Sequence, residues 1–352
     1  MLFVAAGAMF AQSDLQVLAV VKLSKSESIT VKQLKSRVDT YQKQMGKKLS
    51  ADEKKMVLDA LIDEKLILQA AQKAGISIPD STVDQYFLQG MSQQVGAVVT
   101  EKELNELVKK AQGISLDQLL QNQVGMNVSE YKAYLKNQLI AQQYVISQKQ
   151  SELQNVAPTD DEIRAFYENN KASFVWNDML KIFLVIVPKG SDADAAKLKL
   201  NDLRNKFIDK KLTVEQMTVQ SKNDKSGYQA AEIIIPKTES SAVNLGMPYQ
   251  NLLVLAAQDE GFVSDLQETN ADFRFVSVRK KYAAKMLSIS DVVQPETTIT
   301  VYDYIRSNLG QQKQMQFIQA AAQEISNSLN TPENVERKKT GDALTKLLSW
   351  EN

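Results

Sequence analysis

From residue 31 to residue 150 the apolar positions recur every three or four residues, the spacing of helices that each bury one face. The pattern predicts a first helix over 31–45. Ser50-Ala51-Asp52-Glu53 then reads as a capping box, in which the serine oxygen accepts from the Glu53 amide and the glutamate reaches back. Behind it a long helix runs to Ala74. Val57, Leu61, Leu68 and Ala71 share one stripe, Leu58 and Ile62 widen it, and Gly75 and Pro79 supply the stop. Further helices are predicted over 80–95, carrying Val83, Tyr86, Phe87 and Met91, and over 100–111, closed by Gly113. Ser115 and Gln118 cap a short one that ends at Gly125. A last one, over 127–150, carries Tyr131, Tyr134, Leu135, Leu139, Tyr144 and Val145. Ahead of them all, residues 15–21 (LQVLAVV) read as a short buried strand.

Beyond the Ala157-Pro158 boundary the pattern changes. Thr159 and Glu162 cap a short helix, IRAFYENN, and residues 180–187 (LKIFLVIV) form a strand-like run stopped by Pro188. Helical spacing returns over 192–209. Residues 233–235 and 273–278 (FRFVSV) are further strands, with an apolar helix over 247–258 between them, ended by Gly261. Strand, helices and returning strands over this length predict a small α/β domain. Residues 292–330 read as strand then helix, and 331–352 as a loose charged end with one amphipathic turn at Leu344, Leu347 and Leu348.

Composition narrows the chemistry. Of the 352 residues 43% are hydrophobic and 24% charged, an ordinary globular balance. Lys plus Arg equals Asp plus Glu, 42 of each, so no global field draws the chain to nucleic acid or an anionic membrane. There is no Cys and no His. That excludes disulfides, thiolate nucleophiles, a lipid-anchoring cysteine, Ser-His-Asp triads and histidine-containing zinc sites. No dinucleotide fingerprint, phosphate loop, GxSxG elbow or HExxH motif is present, and no cofactor is expected. Residues 1–11 (MLFVAAGAMFA) are read as a signal peptide, with Ala6 and Ala8, or Met9 and Ala11, before the cut. No other stretch approaches the ~18 apolar residues of a membrane span, so the mature chain is expected to be soluble and periplasmic.

The order of these parts, and three stretches in particular, resemble a known family. Residues 58–80 (LDALIDEKLILQAAQKAGISIPD), 115–139 (a SLDQL helix, then EYKAYLKNQL) and 158–174 (PTDDEIRAFYENNKASF) resemble the N-terminal chaperone domain, and the linker helix into a parvulin domain, of SurA- and PrsA-like proteins. The resemblance implies an α+β, mainly helical fold: a helical core completed by the C-terminal helix, with an inserted parvulin-like α/β domain. The implied divisions are a signal peptide at 1–11, the helical chaperone domain at 12–157, a linker helix at 158–178 and the parvulin-like domain at 179–291. A strand and helix at 292–330 pack on the N-terminal core, and a charged tail occupies 331–352.

Position by position, the second domain departs from an active parvulin. Ile182 and Arg274 stand where the family has its two histidines, Asn223 or Asp224 falls at its acid-or-thiol position, and its glycine-rich turn is reduced to Gly227 with Tyr228. Prolyl isomerisation must lower a barrier of about 18–20 kcal/mol, and an apolar chain and a fixed cation do not rebuild a pair of imidazoles. The expected function is an ATP-independent holdase for unfolded outer-membrane or secreted proteins. Phe87, Met91, Met126, Tyr131, Tyr134 and Tyr249 are its candidate peptide-binding group, since Met and aromatic side chains suit adaptable grooves. A weak prolyl isomerase and an envelope scaffolding protein are the alternatives.

Overall fold

The computed structural model describes residues 14–350; the signal peptide expected at 1–11 lies outside them. The described residues are mainly helical with three small open sheets, and they divide into two compact units, 14–157 with 311–350, and 158–310.

The first unit opens on β1 (Val17–Val21), paired antiparallel with β2 (Glu27–Thr30). Six helices follow: α1 (Val31–Met45), α2 (Ala51–Lys73), α3 (Asp80–Val95), α4 (Glu101–Gln112), α5 (Leu116–Val124) and α6 (Val128–Gln148), with a single turn, α7 (Gln150–Leu153), behind them. The predicted capping box of α2 forms in both directions, Glu53 N to Ser50 Oγ at 3.2 Å and Ser50 N to Glu53 Oε2 at 2.8 Å. Gly113 and Gly125 close α4 and α5 with φ of 73° and 74°, the left-handed region that glycine enters without a Cβ clash. Two apolar cores result. One gathers β1, α1 and α2 around Leu18, Ile29, Leu34, Leu58 and Ile62; the other gathers α3 to α6 around Val83, Phe87, Leu104, Leu120 and Leu135.

The second unit starts with α8 (Asp160–Asn170), whose predicted Thr159–Glu162 box is present, and β3 (Val175–Trp176). Then come β4 (Met179–Pro188), α9 (Ala193–Ile208), α10 (Val214–Ser221), β5 (Gln229–Pro236), α11 (Glu239–Asn244), α12 (Tyr249–Ala257), β6 (Gln267–Glu268), β7 (Asp272–Tyr282) and β8 (Lys285–Met286). The main sheet is antiparallel throughout, in the order β5-β4-β7-β6. Alternation along β4 and β7 divides its side chains. Phe183, Val185, Phe273 and Phe275 pack with α9 and α10, whereas Leu180, Ile182, Val276 and Val278 pack with α11 and α12.

A long helix, α13 (Val301–Leu329), contributes its first turns to the second unit and the remainder to the first. The region 292–310 therefore belongs to the second unit rather than to the N-terminal core, with Val301 and Ile305 buried beside Ile163 and Tyr167. In place of the strand expected ahead of α13 there is one bridge, Val292 to Thr300. The tail at 331–352 is not loose within the described residues. β9 (Val335–Arg337) adds a third strand to β1, and α14 (Gly341–Leu348) buries Leu344 and Leu348 in the β1–α1–α2 core. The charges that suggested a loose end face outward, and ion pairs hold some of them: Arg337 meets Asp59 at 2.7 Å and Lys22 meets Glu336 at 2.5 Å.

Candidate functional site

A cleft of about 950 Å3 opens in the first unit, walled by the turn before β2, β2 itself, α1, α2 and α6. Its surface is mixed. Ile29, Leu61, Leu68, Ile76, Met126 and Ile140 supply apolar area, and Gln33, Gln69, Gln72, Asn137, Thr30 and Ser36 supply uncharged donors and acceptors. Such a lining suits a ligand with alternating apolar and amide groups better than a compact anion.

Two ion-pair systems border it. Glu27 takes Lys25 at 2.8 Å and Lys65 at 2.7 Å. Burial works against the Glu27 charge, but hydrogen bonds from both lysines outweigh it and hold the carboxyl below its usual range. Arg37 meets Glu64 at 2.9 Å. Burial opposes its charge too, and the Glu64 carboxylate with Tyr41 overcomes that, so Arg37 is held above its ordinary value. Arg37 also stands over the Tyr134 ring, 5.6 Å from its centroid, a cation–π contact.

Gln69 is the unusual member of the lining. It is 2% exposed, and its Oε1 accepts from the main-chain amides of Ser24 at 3.0 Å and Lys25 at 3.5 Å. These bonds fix which end of the amide is oxygen. Nε2 is left buried with no partner, a state that costs about 1–3 kcal/mol.

The expected peptide-binding residues are partly brought together. Phe87, Tyr131 and Tyr134 form a continuous aromatic run, with centroids 6.1 and 6.3 Å apart, that ends at Arg37. Phe87 is 2% exposed, so its ring is core and not a contact surface; the helical spacing that singled it out serves packing here. Met91 and Tyr131 are half-buried against the same core, and Met126 lines the cleft. Tyr249 lies in the second unit, where its hydroxyl donates to the Lys237 carbonyl at 3.3 Å. Arg37 and Gln69 were not among the expected residues. A signal for Gln69 exists in the sequence: it falls three residues after Leu66 and seven after Ile62, on the apolar stripe of α2 where a leucine would be ordinary. Arg37 has none, because its partner Glu64 belongs to another helix.

In the second unit a smaller cleft of about 290 Å3 is lined by Met247, Pro248, Val254, Leu255, Phe262 and Arg274. Arg274 is 9% exposed. Its Nε and Nη2 fork onto Asp272, both at 2.7 Å, and Nη1 donates to the Leu245 carbonyl. Hydrogen bonds from Arg274 hold the Asp272 carboxyl below its usual value against a smaller effect of burial. Ile182 projects to the same face of the sheet but is fully buried, opposite Val278, whereas Arg274 stands opposite Ile186. Asn223 and Asp224 lie in an exposed turn after α10, where Asn223 Oδ1 accepts from the Lys225 amide at 3.0 Å, and they do not line the cleft. The four positions do not converge on a shared reacting centre.

Among the described residues there is no group of three or more carboxylates placed to hold a metal ion, and no helix is long and apolar enough to cross a membrane. A family model described as the SurA-like N-terminal domain matches residues 1–135. No curated protein matches the sequence. Among solved structures, one is from the pair formed by the virulence factor PEB4 and the periplasmic protein Cj1289, described as SurA-like chaperones of Campylobacter jejuni. It is 16% identical, with 92% of this chain and 99% of that chain covered and a TM-score of 0.32. PrsA of Bacillus subtilis is 16% identical over 96% of this chain and 100% of that one, with a TM-score of 0.28. The foldase protein PrsA of Streptococcus pneumoniae is 15% identical over 92% and 96%, with a TM-score of 0.27.

Proposed function

We propose that this chain is an ATP-independent periplasmic chaperone that holds unfolded exported polypeptides, outer-membrane proteins among them, in the cleft of its first unit. The observation that carries the reading is a coincidence of place. The segment matching the SurA-like N-terminal domain contains every lining residue of the 950 Å3 cleft except Asn137 and Ile140. A wide, mixed surface, on which the charges of Lys25, Lys65, Glu27, Arg37 and Glu64 are taken up in ion pairs with one another, suits a binder of many sequences, since specificity for one ligand would call for a few convergent unpaired charges.

The second unit is, on this proposal, a parvulin-like domain without isomerase chemistry. Its sheet order, with the first strand between the second and fourth and helices on both faces, supports the topology. A buried Ile182, and an Arg274 already bonded to Asp272 and Leu245, supply no proton relay. A proline-limited refolding assay should show no acceleration above background; a clear rate increase with catalytic amounts of the chain would restore the isomerase reading.

The holding activity is tested by light scattering of a denatured outer-membrane β-barrel diluted into buffer. The native chain should suppress the rise. The double variant Leu68→Glu and Met126→Glu places charge on the cleft's apolar surface and should lose most of that suppression while its far-UV spectrum is retained. Full suppression by the folded variant would remove the cleft from the activity, and none by the native chain would end the holdase reading.

A further inference from the structure

A cleft that holds chains of unrelated sequence needs something those chains share, and what they share is the main chain. Among the described residues the three-stranded sheet has the order β2-β1-β9, so β2 is an edge strand there. Which of its main-chain groups are free follows from the bonds around β1. Lys22 N donates to the Asn334 carbonyl and Lys338 N to the Leu18 carbonyl, both at 2.8 Å. Leu18, Val20 and Lys22 therefore turn their main-chain groups toward β9, and alternation turns those of Ala19 and Val21 toward β2. Their partners there are Ile29 and Glu27. Ser28, between these two and exposed, directs its N–H and C=O away from the sheet. The cleft is lined by Glu27, Ile29 and Thr30 of β2, the residues on either side of Ser28, and by no residue of β1.

The second, independent observation is Gln69. It is bonded through Oε1 to the turn that leads into β2, and its buried Nε2 has no acceptor. Edge strand and orphan amide thus border the same cleft, one on β2 and the other on α2.

We propose that the cleft takes an extended segment of another polypeptide as an added strand on β2. The Ser28 main chain exchanges hydrogen bonds with it, and Gln69 Nε2 donates to one of its carbonyls. This deepens the chaperone reading and rests on it. Recognition through the main chain leaves the apolar lining to select side chains only loosely, and Glu27 with its two lysines keeps the edge from pairing with a second copy of the sheet.

The test is fluorescence anisotropy with the full chain and a short labelled peptide of alternating threonine and tyrosine with blocked ends. A counterpart N-methylated on alternate residues, and so unable to pair on one edge, is run beside it. Ser28→Pro removes the outward N–H without touching the ladder to β1. Gln69→Glu keeps the acceptor for Ser24 and removes the donor. Each should weaken binding by about tenfold, the worth of one main-chain-type hydrogen bond, and the N-methylated peptide should bind the native chain more weakly by a similar factor. That last comparison needs no variant to fold. Native affinity in either variant, with an unchanged spectrum and thermal midpoint, overturns the proposal, as does equal binding of the two peptides. A native chain that ignores the peptide yet still suppresses barrel aggregation ends strand addition and leaves the holdase reading standing; loss of both ends both.

Discussion

Lys54 and Gln69 stand on α2 at positions where the apolar stripe would ordinarily place hydrophobic residues, and both are buried. Lys54 donates to the carbonyls of Leu348 at 3.1 Å and Trp350 at 2.7 Å, and its ammonium lies 4.5 Å from the Trp350 ring centroid. It places a cation at the negative end of α14. Lys54→Met keeps the stem and removes the charge, and should cost about 1–3 kcal/mol through the carbonyls left unpaired, read as a lower midpoint in urea. A second residue-scale expectation concerns pH. The folded-state pKa of Asp272 is depressed, so its pairing with Arg274 contributes stability that is present above the unfolded value near 3.8 and is lost as pH falls through the folded one. The stability gap between the native chain and Asp272→Asn should therefore close on acidification below about pH 4; a gap independent of pH would detach the carboxylate's charge from its role. A sequence holds little of this. The spacing that made Phe87 a candidate is equally that of a core residue, and nothing local pairs Arg37 with Glu64 or Arg274 with Leu245, because those contacts join segments brought together only by folding.

Elements with strong local determinants were legible to within a residue or two. Helices α1 to α6 follow from apolar spacing plus caps, and the boxes at Ser50, Ser115 and Thr159 each form both reciprocal bonds. Reciprocal boxes at Thr30 and Thr100 show the same device at helix starts that the apolar pattern located without them, and one at Thr213 opens α10, a helix the pattern did not predict. Ser50→Ala should destabilise the first unit by about 1 kcal/mol, measured by urea unfolding, since it removes the cap of the 23-residue α2. Short elements whose existence depends on a partner strand were not legible. β2 is four residues, ESIT, too short for an alternation to register, and it exists because β1 supplies its bonds. β9 is three residues paired with a strand at the other end of the sequence. The amphipathic turn at Leu344 and Leu348 was visible in the pattern, but its destination in the β1–α1–α2 core was not.

At the scale of the molecule, the first unit is assembled from both ends of the chain, and this makes its stability depend on the last twenty residues. β9 covers one edge of β1, Val335, Leu344 and Leu348 are 7%, 5% and 1% exposed, and Lys54 ties α2 to the end of α14. Each such aliphatic side chain is worth about 1.5–3 kcal/mol when fully buried, so a chain ending at Asn330 should lose a large part of the first unit's stability, a unit of ordinary marginality. The second unit has its own cores on both faces of the β5-β4-β7-β6 sheet and contains none of the deleted residues. Native-state hydrogen exchange separates the two consequences. Amides of β1 should lose protection in the truncated chain, while those of β4 and β7 keep it. A cycle sharpens the point: if Lys54 acts through α14, Lys54→Met should add little in the truncated chain to what truncation already costs. Full protection of β1 without residues 331–352 would show that the N-terminal segment folds around its own core, and that the C-terminal strand and helix only cover it.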